Sequence, residues 1–197
     1  MSPLLETIKV VDGVPANLAY HTARLNRSRH ELFGSTDNID LRDVLSGRLD
    51  CGKGVNRCRV VYQERIISVE TTPYQKRRIR SLSLVECNTI EYSYKFVDRS
   101  CIDALFKDVK TDDMLLVKNG YITDASFANV VFYDGTRWIT PSTPLLEGTA
   151  RARLLENGAI VADEITIHNC RHFKRAALIN AMIDLDDGQH IRIEDIV

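Results

Sequence analysis

The chain has 197 residues, 44% of them hydrophobic and 27% charged, with a formal net charge of −1. That is the make-up of a soluble globular protein able to bury a substantial core. It argues against a general polyanion binder, and no apolar run approaches the roughly 20 residues that span a bilayer. The first residues, Met-Ser-Pro-Leu-Leu-Glu, lack the basic region and apolar core of a secretion signal. Cysteines at 51, 58, 87, 101 and 170 form no CxxC pair, which reads as reduced thiols in a cytoplasmic protein.

Residues 4–11 alternate apolar and polar side chains and end at Asp12-Gly13, predicting a strand and a turn. Asn17 is placed to cap a helix through Phe33, closed by Gly34. On it Leu18, Leu25 and Leu32 recur every seventh residue and define one core-facing line. Asp40 is placed to cap a shorter helix. Residues 57–62 and 65–72 read as two strands, and 79–85 as another. Asp98 is placed to cap a helix reaching Val109, on which Ile102, Leu105, Phe106 and Val109 share a face. Residues 114–118 and 121–123 read as strands around Asn119-Gly120, the strongest short hairpin signal in the chain. Strands are predicted over 127–133 and 138–141, and a helix over 148–156 that stops at Asn157-Gly158. A strand over 160–167, a short helix over 171–175, a strand over 177–183 and a turn at Asp186-Asp187-Gly188 complete the chain. Alternating elements of this kind give an α/β protein. A handover between residues 87 and 94 divides it into two small α/β domains, 1–90 and 91–197.

Four stretches carry candidate chemistry. In Tyr92-Ser-Tyr-Lys-Phe-Val-Asp-Arg99, Lys95 stands between aromatic and apolar neighbours. Desolvation there lowers an amine's pKa and makes it a nucleophile; the other reading is a strand lysine whose head reaches water. Tyr121-Ile-Thr-Asp-Ala-Ser-Phe-Ala-Asn129 puts Asp124 in a strand-to-loop passage among small residues, either to meet a flat ligand or as a turn acid. Thr140-Pro-Ser-Thr-Pro-Leu-Leu-Glu-Gly-Thr-Ala-Arg151 opens a helix at Gly148-Thr149, an anion site or an ordinary helix start. Tyr20-His-Thr-Ala-Arg-Leu25 puts Arg24 in the middle of the first helix, where it can also be the partner of a nearby carboxylate. Lys76-Arg-Arg-Ile-Arg80 is the one dense basic cluster, a solvated strand edge or a site for an acidic substrate. It is too narrow for nucleic acid. His168 and His172 stand four apart, but with no acid at ligand spacing they are not read as a metal pair. A lysine, an acid, a helix N-terminus and an arginine together are what pyridoxal phosphate needs: an amine for its aldehyde, a partner for its ring nitrogen, and donors for its phosphate.

The same segments, in order, resemble the class IV aminotransferases, the fold-type IV pyridoxal-phosphate enzymes. Leu5-Glu-Thr-Ile-Lys-Val10 is similar to that family's early "fE(T)" strand, and His21-x-x-Arg-Leu-x-x-Ser28 to its "H-x-x-R-L-x-x-S" helix. Lys95-x-x-Asp-Arg99 resembles its lysine segment. Ile122-Thr-Asp-Ala-Ser-Phe-Ala-Asn-Val130 resembles "V-T-E-x-x-x-x-N", and Thr140-Pro with Leu146-Glu-Gly-Thr-Ala-Arg151 resembles "T-P … L-x-G-I-T-R".

The resemblance implies two α/β domains with a cofactor cleft between them. It implies pyridoxal 5'-phosphate as cofactor, Lys95 as the Schiff-base lysine and proton shuttle, and Arg24 at the phosphate. Asp124 would face the pyridine nitrogen, and Gly148, Thr149 and Ala150 would give backbone donors to the phosphate. Asn180 falls where a second phosphate loop begins, and Arg59 and Tyr62 on a strand that lines the substrate pocket. Where the family usually has glutamate this chain has Asp124, shorter in reach by roughly 1.5 Å, a carbon–carbon bond length. The implied activity is an aminotransferase moving an amino group between a small amino donor and a 2-keto acid. The alternatives are aminodeoxychorismate lyase and a non-catalytic pyridoxal-phosphate-binding protein. A homodimer is implied by analogy. Neither the donor nor its L or D configuration is fixed by these residues.

Overall fold

The computed structural model describes residues 2–49, 51–187 and 190–197, the side chain of Asp108 excepted. The chain falls into two compact units, Met1–Lys76 with Tyr94–Asp98, and Arg77–Ser93 with Arg99–Val197. Among the described residues no helix is long and apolar enough to cross a membrane.

In the first unit, β1 (Leu4–Val11) turns through Asp12 and Gly13, both at positive φ, into the two-residue β2 (Val14–Pro15). The helix α1 (Leu18–Phe33) follows, then α2 (Leu41–Leu45), β3 (Val55–Tyr62) and β4 (Ile66–Pro73). The sheet order is β2-β1-β3-β4, with β1 antiparallel to β3 from Leu4↔Tyr62 to Val11↔Val55. Side chains alternate across a strand. Leu4, Ile8 and Val10 of β1 and Cys58, Val60 and Tyr62 of β3 therefore share one face, and Leu25, Leu41 and Leu45 close over it. The seven-residue line is real: Leu25 is in this core, and Leu18 and Leu32 pack against it. Gly34 ends α1 in the left-handed region, its N–H bonded to His30 O, while Ser35 N bonds to Arg29 O, a cap that glycine adopts without a Cβ clash. Asp40 caps α2 as expected, Oδ1 accepting from Arg42 N at 2.8 Å. Asn17 precedes α1 but makes no side-chain cap, because it is itself left-handed.

The segment Tyr94–Asp98 returns to this unit along β1. Phe96 bridges Leu4, Leu5 N donates to Lys95 O at 2.9 Å, and Val97 N to Pro3 O at 2.8 Å. Asp98 N reaches Ser2 Oγ at 3.2 Å. The Asp98 backbone is thus tied to the N-terminal run, and Arg99, not Asp98, holds the N-cap position of the helix that follows. The expected helix to Val109 is instead a short α3 (Ser100–Asp103) followed by a 3-10 turn over Ala104–Asp108.

The second unit contains β5 (Leu82–Glu86), α3, β6 (Asp113–Lys118), β7 (Tyr121–Ala125), β8 (Asn129–Tyr133), β9 (Trp138–Pro141) and α4 (Thr149–Glu156). It ends with β10 (Ile160–Asp163), β11 (Arg175–Ile179) and β12 (His190–Arg192). The sheet path is β10-β9-β8-β7-β6-β5, and β11 joins β8 to β12. Asn119 and Gly120, at φ 53° and 80°, form the β6–β7 turn, the geometry for which Asn-Gly is selected. The parallel strands β9 and β10 are linked through α4.

Other boundaries differ from expectation for local reasons. The run over 160–167 splits: β10 pairs with β9, whereas Ile165 O accepts from Ile122 N and Thr166 bridges Tyr121. The expected strand over 79–85 starts only at Leu82, and the helix near 171–175 is a 3-10 turn over Asn169–His172. The strand over 177–183 stops at Ile179, because Asn180 turns back on Ile183. Asp186 and Asp187 lie in a 3-10 turn, while Gly188 of the predicted turn lies outside the described residues.

Candidate active site

Each unit carries part of the candidate set. In the first, Lys95 is half-buried and its backbone is fixed through Leu5 N. The next residue of β1, Glu6, points to the face under α1 and is fully buried. Glu6 Oε1 accepts from Arg24 Nε at 2.8 Å, and Oε2 from Arg24 Nη2 at 2.6 Å. Oε2 also lies 2.6 Å from His21 Nδ1. Arg24 and His21 are one helical turn apart on α1, so both reach the same carboxylate. Burial alone would raise the Glu6 pKa. The Arg24 charge and the hydrogen bonds from His21 and Arg24 reverse that effect and hold it at about 2. Glu6 and Arg24 therefore form a buried ion pair, with His21 hydrogen-bonded to the same carboxylate.

The two strand candidates separate. Tyr62 is buried on the α1 face, its hydroxyl pKa raised by burial and by the Glu6 charge. Arg59 is half-buried on the opposite face, across from Thr7. Strand alternation gives residues 59 and 62 opposite directions, so they do not line one pocket from one face.

In the second unit the β7–β8 connection is a tight turn, with Ala125 N bonded to Ala128 O at 2.9 Å and Asp124 opposite Asn129. Asp124 is 5% exposed. Its Oδ1 accepts from Asn129 Nδ2 at 2.6 Å and its Oδ2 from Leu146 N at 2.9 Å. Asn129 Nδ2 also donates to Leu146 O at 2.9 Å. The loop before α4 is thereby stapled to the acid. Burial pushes the Asp124 pKa up to about 6, against the lowering effect of these two hydrogen bonds and the Arg151 charge.

Gly148 caps α4 in extended conformation, and the first intrahelical bond is Ala152 N to Gly148 O at 2.9 Å. The N–H groups of Thr149, Ala150 and Arg151 therefore have no acceptor within the helix, and the positive end of α4 favours an anion. Thr149 and Ala150 are buried. A Cβ at position 148 would overlap the Asn129 side-chain oxygen, so the glycine is what lets the helix terminus and the acid's amide partner pack together. Asn180 uses its side-chain oxygen on Met182 N (2.8 Å) and Ile183 N (2.9 Å), and its Nδ2 reaches Phe127 O at 3.3 Å. It braces its own turn and the β7–β8 turn.

The first unit thus combines an amine segment with a buried guanidinium. The second combines a buried acid, poised near neutrality, with an anion-favouring helix terminus. The sequence assigns no role to Glu6, His21, Asn129 or Leu146, although all four stand inside the family-like motifs. The role of Asn129 follows from the turn that brings it opposite Asp124.

Two measurements test this geometry. Gly148→Ala should displace the Asn129 amide and destabilise the protein by about 1–3 kcal/mol, read as a lower urea midpoint at unchanged slope. A folded Asp124 with pKa about 6 against an ordinary 3.8 favours the protonated form. Its contribution to stability is complete below about pH 4 and is lost as pH rises through about 6, on the order of 3 kcal/mol. In ligand-free protein, the stability of Asp124→Asn relative to wild type should therefore rise between pH 4 and pH 7.

The arrangement has relatives. The family model described as amino-transferase class IV matches residues 3–185. An uncharacterized protein of Haemophilus influenzae is 35% identical over 185 residues, 92% of this chain and 98% of that protein. A crystal structure of a candidate 4-amino-4-deoxychorismate lyase from Haemophilus somnus 129pt superposes with a TM-score of 0.88 at 34% identity. It covers 94% of this chain and 98% of that one. Aminodeoxychorismate lyase of Bacillus subtilis is 24% identical over 196 residues, 82% of this chain and 66% of that protein. The architecture is that of fold-type IV enzymes. A family model spanning nearly the whole chain, and full-length similarity above 30%, agree with the motifs and their order: the chain belongs to the class IV aminotransferases.

Proposed function

We propose that this protein is a pyridoxal-phosphate-dependent enzyme that uses the Lys95 amine, and that its reaction is release of pyruvate from aminodeoxychorismate. The observation that carries the cofactor is the Asp124 cluster. A buried carboxylate with a raised pKa gains most from a cationic N–H, which a protonated pyridine nitrogen supplies. The α4 terminus, braced to the same acid through Asn129 and Gly148, suits a phosphate. Within each unit the residue types fit the group. In the second, Asp124 would hold the ring nitrogen's proton and the Gly148, Thr149 and Ala150 amides would donate to phosphate; in the first, Lys95 would hold the aldehyde carbon and Arg24 is the phosphate cation. Asn180 would support the phosphate end by bracing its own turn, and Arg59 is the candidate for the substrate.

When bound, the cofactor supplies an electron-accepting ring. The chain's own residues do the rest. Lys95 Nζ would take the proton from the substrate's amine-bearing carbon. The bond from the adjacent ring carbon to the enolpyruvyl oxygen would break, its electron pair leaving on that oxygen. The proton would pass to the departing enol, which becomes pyruvate while the ring is left aromatic. The Leu5–Lys95 backbone bond and the Phe96 bridge keep the Lys95 main chain in register with β1. Asp124 remains ionised beside a cationic partner, because the partner lowers its pKa. Asn129 and Leu146 N keep both its oxygens aimed, which suits the shorter reach of aspartate.

The lyase reading is supported by relatives in Haemophilus somnus and Bacillus subtilis whose names carry that activity. Amino transfer is the second reading, favoured by the family's description and compatible with the same residues.

The test supplies the purified protein and pyridoxal phosphate with aminodeoxychorismate, and separately with amino-acid and keto-acid pairs. Pyruvate should be released with turnover, and Lys95→Ala should reduce the rate about a thousandfold. Amino exchange without pyruvate would move the assignment to an aminotransferase. Equal rates in wild type and Lys95→Ala would remove the proposal altogether.

A further inference from the structure

The reading above gives Arg24 a role but none to Glu6 or His21, although Glu6 is fully buried beneath it. Its carboxylate is fully buried, His21 is 1% and Arg24 7% exposed. Both carboxylate oxygens are engaged, Oε1 by Arg24 Nε, and Oε2 by Arg24 Nη2 and His21 Nδ1. A guanidinium held along one edge by two parallel bonds is fixed in plane as well as position. Glu6 is itself fixed on two sides: it lies opposite Val60 of β3, and the preceding residue, Leu5, is bonded to the Lys95 carbonyl. One strand therefore sets both the lysine backbone and the arginine head.

We infer that Glu6 is a positioning residue for the cofactor phosphate: it orients the Arg24 guanidinium, with His21 anchoring the carboxylate from the adjoining turn of α1. The inference rests on Arg24 being a phosphate residue, as proposed above. A brace between α1 and β1 would explain the same contacts, but a brace needs no ions. Apolar side chains of similar volume commonly hold a helix on a sheet as well or better. The bidentate fork adds directional control of one cation, which matters when that cation must meet an anion of fixed geometry.

The readout is the preference for pyridoxal phosphate over pyridoxal, the ratio of their dissociation constants, taken by absorbance titration. A brace affects both ligands alike, whereas an orienting residue affects only the one with a phosphate. Wild type should prefer pyridoxal phosphate, and Arg24→Gln should abolish most of that preference. Glu6→Gln should lower it about tenfold while leaving pyridoxal affinity unchanged, with thermal unfolding confirming a folded protein. Adding Glu6→Gln to Arg24→Gln should cost little more preference than Arg24→Gln alone. An unchanged preference in Glu6→Gln, or an equal loss for both ligands, overturns the inference and leaves the cofactor assignment standing. If Glu6→Gln does not fold, Glu6→Asp decides: it keeps the charge but withdraws it by about 1.5 Å, and a retained preference overturns the inference. If Arg24→Gln leaves the ratio unchanged, the phosphate role of Arg24 fails, and that of Glu6 with it.

Discussion

The structure depends on a backbone pairing between residues about ninety positions apart. Leu5 N bonds to Lys95 O, and Leu4 bridges Phe96. Without that pairing Tyr94–Asp98 would be part of a long connection within the second unit, and Lys95 would have no fixed relation to β1. With it, the amine segment lies beside the strand that also carries Glu6, and through Glu6 the Arg24 head. Main-chain bonds at a strand edge are an economical way to set such a lysine. They fix the position of its Cα while leaving the side chain to its own rotamers.

The second unit solves a different problem, that of keeping an acid buried. Asp124 is nearly excluded from solvent, and burial alone disfavours its charge. Two hydrogen bonds and the neighbouring Arg151 offset part of that penalty, and the acid is left near neutrality. A carboxyl group in that state responds strongly to any cation brought beside it. The amide of Asn129 binds both the acid and the carbonyl of Leu146, which ties the acid to the loop that enters α4. Gly148 is required there by close packing and not by an unusual φ, since its backbone is ordinary extended.

Much of this was legible in the sequence wherever the signal is local. The seven-residue leucine line, the Asn119-Gly120 turn and the Gly34 stop each depend on a few neighbouring residues, and each lies where expected. The parity of residues 59 and 62 was also legible, and it separates Arg59 from Tyr62. Non-local competition accounts for the failures. Asp98 has the chemistry of a helix cap, but its backbone is tied to Ser2 and the helix starts at Ser100, which puts Arg99 in the N-cap position. The segment 160–167 reads as one strand but divides at Asp163-Glu164 between two partners. In the candidate site, Lys95, Asp124 and Arg24 stood out by type and motif. Glu6, His21 and Asn129 stood in the same motifs without a role, because a glutamate on a strand or an asparagine after a turn acquires its role only from what the fold brings opposite.

The proposed chemistry turns on one amine, that of Lys95, capturing one aldehyde. Incubating the purified protein with pyridoxal phosphate, reducing it with borohydride and mapping the labelled peptide by mass spectrometry tests it most directly. The label should fall on Lys95 at one equivalent per chain. A label spread over surface lysines, or concentrated on any lysine other than Lys95, would contradict the account.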